Sequence, residues 1–311
     1  MNQTRKMRNK EKLQDKARGM LVGLAVGDAL GAPIEFLPAS AISVIDDEIP
    51  HFHENSRLPK GVWTDDTEMA LCLADSLLAS KGYDSYDIMM KFVAWCDNGY
   101  RTYDGKSPMD IGVQTARAIG EFKDEPVIFG DDTTESAGNG AIMRLAPVII
   151  ANLGVSDIDA TAQMAVLSAR ETHNSKTAEM VTRIFAEVLY KICQGDDKKA
   201  VADFVDSKME VEKDGNKLYN LGGYIVDTFA IALFGLMNFD NFKDGMLAVL
   251  RFGGDTDTNG ACYGQLAGAY YGYEAILEEW REGVYLSDEL VKIADELLEM
   301  DECPVIRTRF R

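Results

Sequence analysis

Apolar residues recur every three or four positions along most of the chain, which is the spacing that places them on one face of an α-helix. Met180, Ile184, Val188 and Ile192 form one such row. The pattern predicts helices over about 66–80, 86–97, 109–121, 140–152, 157–171, 174–193, 198–207, 221–236, 240–250, 258–280 and 287–300. Extended backbone is suggested only at 127–129 and 285–286, so the sequence predicts an all-α fold.

The first predicted helix, 11–32, carries small residues on successive turns. They are Gly19, Gly23, Ala25, Gly27 and Ala29. An interior glycine costs a helix about 1 kcal/mol relative to alanine, and close packing against a central helix is the simplest reason to carry so many. Pro33 ends this helix, which leaves Glu35 on a loop just past it and 37–62 as an irregular loop.

The chain of 311 residues shows no internal repeat and no linker rich in Gly, Ser or Pro, so we expect one domain. Its first 18 residues differ in charge. Seven basic against two acidic residues give them +5 and leave −24 for the remainder of a chain whose net charge is −19. We therefore divide the chain into a basic leader, 1–18, and one domain, 19–311. The leader could be a solvated helix start, fold back on the acidic body, or contact a partner.

Charge and cysteine content indicate which classes of partner and which cellular compartment to expect. A strongly acidic surface disfavours nucleic acid as a partner. No apolar run approaches the roughly 20 residues that span a bilayer, and the polar, basic N-terminus lacks the apolar region of a secretory signal, so we expect no membrane partner. The five scattered cysteines form no Cys-x-x-Cys pair, which favours reduced thiols and a cytoplasmic location.

Two acidic stretches lie far apart in the sequence. They are Trp-Thr-Asp-Asp-Thr at 63–67 and Arg-Phe-Gly-Gly-Asp-Thr-Asp-Thr-Asn-Gly at 251–260. Each precedes a predicted helix, whose N-terminus favours anionic groups, so two unrelated helix caps are one interpretation. In the other, the four aspartates converge, and two divalent cations offset their mutual repulsion. Carboxylate and threonine hydroxyl oxygens suit Mg²⁺, Ca²⁺ or Mn²⁺ rather than zinc or copper.

A Gly-Asn-Gly turn at 138–140 opens another predicted helix. Such a turn presents backbone N–H groups to an anion such as a diphosphate, although an ordinary helix cap is the alternative. The only Gly-Lys-Ser, at 105–107, has Tyr100 where the phosphate loop of nucleotide triphosphatases requires its first glycine, which argues against such a loop. His173 lies in a break between two predicted helices and is the only histidine outside 51–53.

The two acidic stretches resemble the paired metal motifs of the ADP-ribosylglycohydrolase family, which includes the dinitrogenase-reductase-activating glycohydrolase. Three further segments match its pattern. They are 19–31 with Glu35 following, Gly-Asn-Gly-Ala-Ile-Met-Arg at 138–144, and Thr-His at 172–173. Five segments in the family's order form a specific signal that runs from the first helix to the last third of the chain. The resemblance implies a compact single-domain orthogonal helical bundle.

The resemblance also assigns roles residue by residue. The implied metal ligands are Thr64, Asp65, Asp66, Asp255, Asp257 and Thr258. The implied catalytic residues are Glu35, as ligand, gate or base, and Asp110, near the anomeric carbon. The implied substrate-binding residues are Ser136, Gly138, Asn139 and Gly140 for the diphosphate, His173 for the nucleotide, and Gly253, where the glycine pair leaves room for substrate.

The implied activity is removal of ADP-ribose from a modified acceptor, usually a protein arginine, with two Mg²⁺ or Mn²⁺ ions. The glycosidic bond at the distal ribose would break through an oxocarbenium-like state. The expected partner is an ADP-ribosylated protein. An alternative is an immunity or binding protein that neutralises a cognate ADP-ribosyltransferase toxin by hydrolysis or occlusion, and another is a metal phosphohydrolase unrelated to ADP-ribose.

Overall fold

The computed structural model describes residues 2–44, 51–54, 58–126, 129, 132–133, 136–210, 221–300 and 305–307. Most of these residues are helical, which confirms the all-α prediction. The helices are α1 Asn2–Gly31, α2 Ala39–Ile42, α3 Asp65–Ser80, α4 Ser85–Asn98, α5 Val113–Asp124, α6 Ala146–Asn152, α7 Ile158–Arg170, α8 Lys176–Gln194, α9 Lys198–Lys208, α10 Ile225–Asn238, α11 Phe242–Leu250, α12 Thr256–Tyr271, α13 Glu278–Gly283 and α14 Ser287–Leu298. The described part also contains two short parallel strands, β1 Gly82–Asp84 and β2 Val305–Arg307.

Helices α1 and α12 pack against each other along glycine pairs. A Cβ atom placed on Gly23 would overlap the carbonyl oxygen of Gly264, and one on Gly264 would overlap that of Gly23. The same reciprocal contact joins Gly19 with Gly268 and Gly27 with Gly260. The glycines of the first helix therefore serve close helix packing, as the sequence predicted.

The portion of α1 and the following turn from residue 9 to 34 is long and apolar enough to cross a membrane by length and composition alone. Inside the protein, 89% of its apolar window is buried. Packing against α12 explains why this helix is so apolar, since a central helix needs no polar face.

The α1–α12 pair sets the position of the loops at one end of the molecule. The hydroxyl of Thr256, the first residue of α12, donates to the carbonyl oxygen of Gly31, the last residue of α1, at 2.9 Å. The chain then makes a 3-10 turn over Ala32–Ile34 that contains Pro33, as the predicted helix end requires. Glu35 follows and so lies beside the start of α12.

Five predicted helices differ from the observed ones by four or more residues at one end. Two of them, predicted over 11–32 and 221–236, span Asn2–Gly31 and Ile225–Asn238, and the other three show breaks. The one predicted over 258–280 ends at Tyr271, because Gly272 adopts a positive φ of 89° and α13 follows as a separate helix. The one predicted from 140 divides into a 3-10 turn, Asn139–Ala141, and α6. The one predicted from 109 begins only at Val113. Apolar spacing continues through a break, so periodicity does not detect it.

The predicted extended segments were not located correctly. Residues 285–286 are not a strand, since Leu286 has a φ of 54° and precedes α14. Most of 127–129 lies outside the described residues. The strands observed pair Gly82–Asp84 with Val305–Arg307, which local pattern does not reveal because the partners are distant in sequence. The loop predicted over 37–62 contains the one-turn helix α2.

Part of the basic leader packs on the body of the protein. Lys16 Nζ donates to the carbonyl oxygen of Ile192 at 2.6 Å, and Arg18 forms a two-pronged ion pair with Asp295 at 2.6 and 2.8 Å. The boundary after residue 18 falls within α1, and the division into leader and domain stays a prediction. Four cysteines are free thiols, and Cys303 lies outside the described residues.

Candidate metal centre and active-site cleft

The two acidic stretches converge. Each one opens a helix as predicted, since Asp65 begins α3 and Asp255 caps α12. Asp66 Oδ2 lies 3.3 Å from the hydroxyl oxygen of Thr64 and 3.5 Å from that of Thr258. Residues separated by 192 positions in sequence are thus brought into contact, and the interpretation as two unrelated helix caps is wrong.

Glu35 joins this cluster. One carboxylate oxygen each from Glu35, Asp255 and Asp257 can be chosen so that all three lie within 4.8 Å of one another. The loop after Glu35 is bound to the loop before Asp255, because Phe36 N donates to the carbonyl oxygen of Gly254 at 2.7 Å and Gly254 N donates to that of Leu37 at 2.9 Å. The sequence suggested a ligand, a gate or a base for Glu35, and its position in the cluster is compatible with coordination of a cation.

The glycine pair before Asp255 is required by backbone contact. Gly253 and Gly254 have φ values of 74° and 72°, which favour glycine. A Cβ on Gly253 would lie 2.5 Å from the carbonyl oxygen of Leu37, and one on Gly254 would overlap Leu221. Gly253 was predicted to leave room for substrate, but it lies against the loop that carries Glu35 and does not line the cavity.

Asp28 holds the start of α3 in place. Its buried carboxylate accepts four hydrogen bonds, from the backbone N–H and hydroxyl of Thr64 at 2.8 and 2.8 Å and from those of Thr67 at 3.0 and 2.6 Å. Burial raises the pKa of Asp28 to about 6, although these hydrogen bonds oppose the rise. The sequence alone gave Asp28 no role, and the available signal was a lone carboxylate in the otherwise small and apolar segment 19–31.

The charge of the cluster requires a counter-charge. Burial raises the pKa values of Asp65, Asp66 and Asp257 well above the usual range, and neighbouring carboxylates raise them further. Asp66 Oδ1 is buried without a hydrogen-bond partner among the described residues. Several carboxylates and two threonine hydroxyls that converge with an unpaired buried oxygen suit a hard divalent cation. These residues therefore fit a metal site.

A cavity of about 580 Å³ opens above the cluster. It brings together most of the predicted site residues: Glu35, Asp65, Asp110, Gly138, Asn139, Gly140, His173, Asp255, Asp257 and Thr258. Thr64 and Asp66 lie buried behind this surface. Ser136, predicted to bind a diphosphate, is fully buried, and its hydroxyl donates to the carbonyl oxygen of Thr133 at 2.9 Å. Ser136 does not line the cavity.

Asn139 connects the Gly-Asn-Gly turn to the acidic cluster. Its Nδ2 donates to Asp255 Oδ2 at 2.7 Å and to the hydroxyl of Thr228 at 3.0 Å. Its backbone N–H donates to the carbonyl oxygen of Gly223 at 2.9 Å. The Asn139 side chain, predicted to hold a diphosphate, is thus occupied in orienting a carboxylate of the candidate metal centre.

We expect Asn139→Ala to weaken Mn²⁺ binding by about 10- to 100-fold, the range found when a group that orients a metal ligand is removed. The affinity is measured by titration calorimetry on the purified protein. Thr228→Val is the matched control, because it removes the other partner of Asn139 and leaves the Asp255 contact in place. Equal Mn²⁺ affinity in Asn139→Ala and the unaltered protein would contradict the orienting role.

His173 supports the Gly-Asn-Gly turn from below. A Cβ on Gly138 would lie 3.0 Å from His173 Nε2, and one on Gly140 would lie 2.6 Å from Cε1, so the imidazole occupies the space of both missing side chains. Burial, reinforced by the nearby Arg144 charge, lowers the pKa of His173 to about 3. The ring is therefore neutral near pH 7 and acts as a hydrogen-bonding group.

A second glycine segment completes the wall of the cavity. Gly222 and Gly223 line it, and Gly223 has a φ of 89°. A Cβ on Gly223 would lie 3.1 Å from Asp255 Oδ2. This segment was not predicted from the sequence, where the adjacent glycines of Leu-Gly-Gly-Tyr at 221–224 are its signal.

Comparison with known proteins identifies relatives along nearly the whole chain. The model of the ADP-ribosylglycohydrolase family matches residues 9–304. An ADP-ribosylarginine hydrolase Tri1 from Pseudomonas putida (strain GB-1) is 34% identical over 300 residues, which cover 93% of this chain and 79% of that protein. The ADP-ribosyl-[dinitrogen reductase] glycohydrolase of Rhodospirillum rubrum is 32% identical over 278 residues, with 86% and 90% covered.

A solved structure is also similar in three dimensions. It is described as an ADP-ribosylglycohydrolase-related protein complex, and it superposes with a TM-score of 0.77 at 34% sequence identity. The match covers 93% of this chain and 99% of the other. The helical architecture is therefore shared along the chain and includes the segments that carry the acidic cluster.

Proposed function

The chain belongs to the ADP-ribosylglycohydrolase family and is a glycohydrolase, and from that premise we propose that it removes ADP-ribose from ADP-ribosylated arginine side chains of proteins. The observation that carries this proposal is the convergence of the two acidic stretches beneath a cavity that also contains the Gly-Asn-Gly turn. An acidic cluster suited to cations and a turn suited to anions line one cavity, and this combination suits a substrate with ribose hydroxyls and a diphosphate.

We propose Mg²⁺ or Mn²⁺ as the cofactor, with two ions in the site. The proposed ligands are Thr64, Asp65, Asp66, Asp255, Asp257 and Thr258, together with Glu35. When bound, divalent cations supply Lewis-acid chemistry, since they fix ribose hydroxyls and acidify a water molecule. In the protein itself, Asp28 and Asn139 fix the directions of the ligands around that position.

Asp110 is the proposed general base. It lines the cavity, and after burial its charge is the next largest cause of the raised pKa of Asp65. In the proposed step a water oxygen bonds to the anomeric carbon as the bond from that carbon to the arginine nitrogen breaks. Asp110 takes a proton from the water, and the guanidine leaves with the bonding electron pair. The proton held by Asp110 then passes to the departing guanidine, which restores the carboxylate.

The acidity of the cleft favours a cationic acceptor. Bound cations would offset the charges of the proposed ligands, but Asp110 also lines the cavity and lies outside that ligand set, and the protein carries a net charge of −19. A guanidinium group that approaches such a surface is attracted, whereas a neutral serine hydroxyl is not. This electrostatic preference supports arginine, as do the relatives that are described as ADP-ribosylarginine hydrolases.

The test compares two acceptors under identical conditions. The purified protein is incubated with an arginine-ADP-ribosylated peptide or a serine-ADP-ribosylated peptide, with Mg²⁺, Mn²⁺ or EDTA, and free ADP-ribose is quantified by chromatography. We expect release from the arginine peptide that depends on the metal, and little from the serine peptide. No release from the arginine peptide with either metal contradicts the proposal, and release of inorganic phosphate favours a phosphohydrolase instead.

A further inference from the structure

A buried row of polar side chains leads from the protein core to the cavity wall. Arg144 is fully buried, and its guanidinium lies over the ring of Phe92 at 4.9 Å. Its Nη2 donates to the hydroxyl oxygen of Thr172 at 2.7 Å and to the carbonyl oxygen of Ser168 at 3.2 Å. The Thr172 hydroxyl oxygen in turn lies 2.8 Å from His173 Nδ1, so the three side chains form one continuous chain of hydrogen bonds.

The donors in this row of side chains indicate one arrangement of the protons. An arginine can only donate, so the Thr172 oxygen is the acceptor in its contact with Arg144. The threonine has one hydroxyl proton, and His173 Nδ1 is the acceptor for it among the described contacts of that hydroxyl. With Nδ1 as that acceptor, each donor in the row has a partner, and this arrangement places the single proton of the neutral imidazole on Nε2.

The Nε2 atom lies at the cavity wall. A Cβ atom built on Gly138 would lie 3.0 Å from Nε2, and one built on Gly140 would lie 3.1 Å from it, so Nε2 is close to both glycines of the turn. His173 lines the cavity, although the residue as a whole is only 4% exposed. Because a side chain on either glycine would collide with the ring, glycine at both positions allows the Nε2 edge of His173 to lie beside the two cavity-lining residues.

We propose that Arg144 and Thr172 are positioning residues that hold His173 as the Nε2–H tautomer, so that the imidazole donates a hydrogen bond to an anionic phosphate oxygen of the substrate. The nature of this oxygen rests on the proposed function, while the tautomer does not. A fixed neutral donor at the turn recognises a diphosphate by geometry, and its protonation does not change with pH near neutrality.

The first experiment reads the tautomer directly. The chain has three histidines, so the ¹⁵N spectrum of histidine-labelled protein at pH 7.5 is simple, and comparison with His173→Gln assigns the signals of His173. We expect the pattern of an unprotonated Nδ1 and a protonated Nε2. A proton on Nδ1 in the unaltered protein would overturn the proposal, whether or not ADP-ribose binds.

The second experiment removes the hydroxyl. Thr172→Val keeps the shape of the side chain, and Thr172→Ser keeps the hydroxyl as the matched control. We expect Thr172→Val to lose the single tautomer, to weaken ADP-ribose binding about 10-fold, and to raise KM while kcat stays within about threefold, since one hydrogen bond to a charged group is lost. Thr172→Ser should retain the tautomer and the affinity.

The two arms separate the possible failures. If Thr172→Val retains the tautomer of the unaltered protein, Thr172 does not position His173 and the proposal is wrong. If the tautomer changes but ADP-ribose binds to neither protein, the positioning stands and the proposed function fails instead. Should Thr172→Val not fold, the tautomer of the unaltered protein and of Thr172→Ser still decides the proposal.

Discussion

Asp257→Asn is expected to reduce ADP-ribose release from an arginine-linked substrate by about 1,000-fold or more. Asp257 is buried within the cluster, where its carboxylate lies near those of Asp255, Asp66 and Glu35. The substitution keeps the size of the side chain but removes a charged oxygen ligand. A bound metal supplies several kcal/mol of transition-state stabilisation, and each 1.4 kcal/mol or so is worth a factor of about ten in rate.

The same substitution should stabilise the protein in the absence of metal. Burial and the neighbouring carboxylates raise the pKa of Asp257 well above its unfolded value. A carboxyl with a raised pKa favours the folded state at pH values below its unfolded pKa, and this contribution is lost as the pH rises through the folded pKa. Asparagine never ionises, so the Tm advantage of Asp257→Asn in EDTA should grow from pH 4.5 to pH 8.

Addition of metal should make the unaltered protein the more stable of the two. Mn²⁺ raises the Tm of a protein that binds it in the folded state, and Asp257→Asn should gain less than the unaltered protein. Asp240→Asn is the control, because the side chain of Asp240 is fully exposed and forms a surface ion pair with Lys198. If Asp257→Asn loses activity yet is also less stable in EDTA at pH 8, then the loss reflects damage to the fold rather than removal of a ligand.

The helices were predictable because their signals are local. Apolar spacing placed α3 and α8 to within two residues at each end. The N-terminal positions of Asp65 and Asp255 followed from the same pattern, since each acidic stretch precedes a helical run. Local pattern failed where a distant partner decides the structure, as in β1, which forms only because Val305–Arg307 lies beside it.

The candidate site was predictable to the extent that the family resemblance identified its segments. What the sequence did not provide is the direction of each side chain. Asn139 was expected to face a diphosphate, yet it binds Asp255, and Ser136 was expected in the cavity, yet it is buried behind the turn. Asp28 received no role because its value depends on Thr64 and Thr67, which are brought to it only by the packing of α3 beside α1.

Gly264→Ala is expected to destabilise the protein by about 3 kcal/mol or more. The new methyl group would overlap the carbonyl oxygen and carbon of Gly23 in α1. A flexible side chain could move aside, but here the obstacle is the backbone of a buried helix, so α1 and α12 must separate. The free energy of unfolding is measured by urea denaturation with EDTA present, which keeps metal binding out of the comparison.

Gly120→Ala is the matched control for this substitution. Gly120 lies within α5, and a Cβ there meets no atom within 4 Å. Because alanine favours a helix over glycine, Gly120→Ala should stabilise the protein by about 0.5 to 1 kcal/mol. Equal effects of the two substitutions would mean that the α1–α12 contact is not close enough to require glycine.

The close packing of α1 and α12 also affects the candidate metal site, so Mn²⁺ affinity is a second measurement on Gly264→Ala. The glycine pairs fix how far α12 lies from α1, and Thr256 joins the two helices at the end where Asp257 and Glu35 meet. Separation of the helices would move one set of carboxylates away from the other. We therefore expect the folded fraction of Gly264→Ala to bind Mn²⁺ more weakly than Gly120→Ala does, because the same glycines that allow the close packing set the spacing of the ligands.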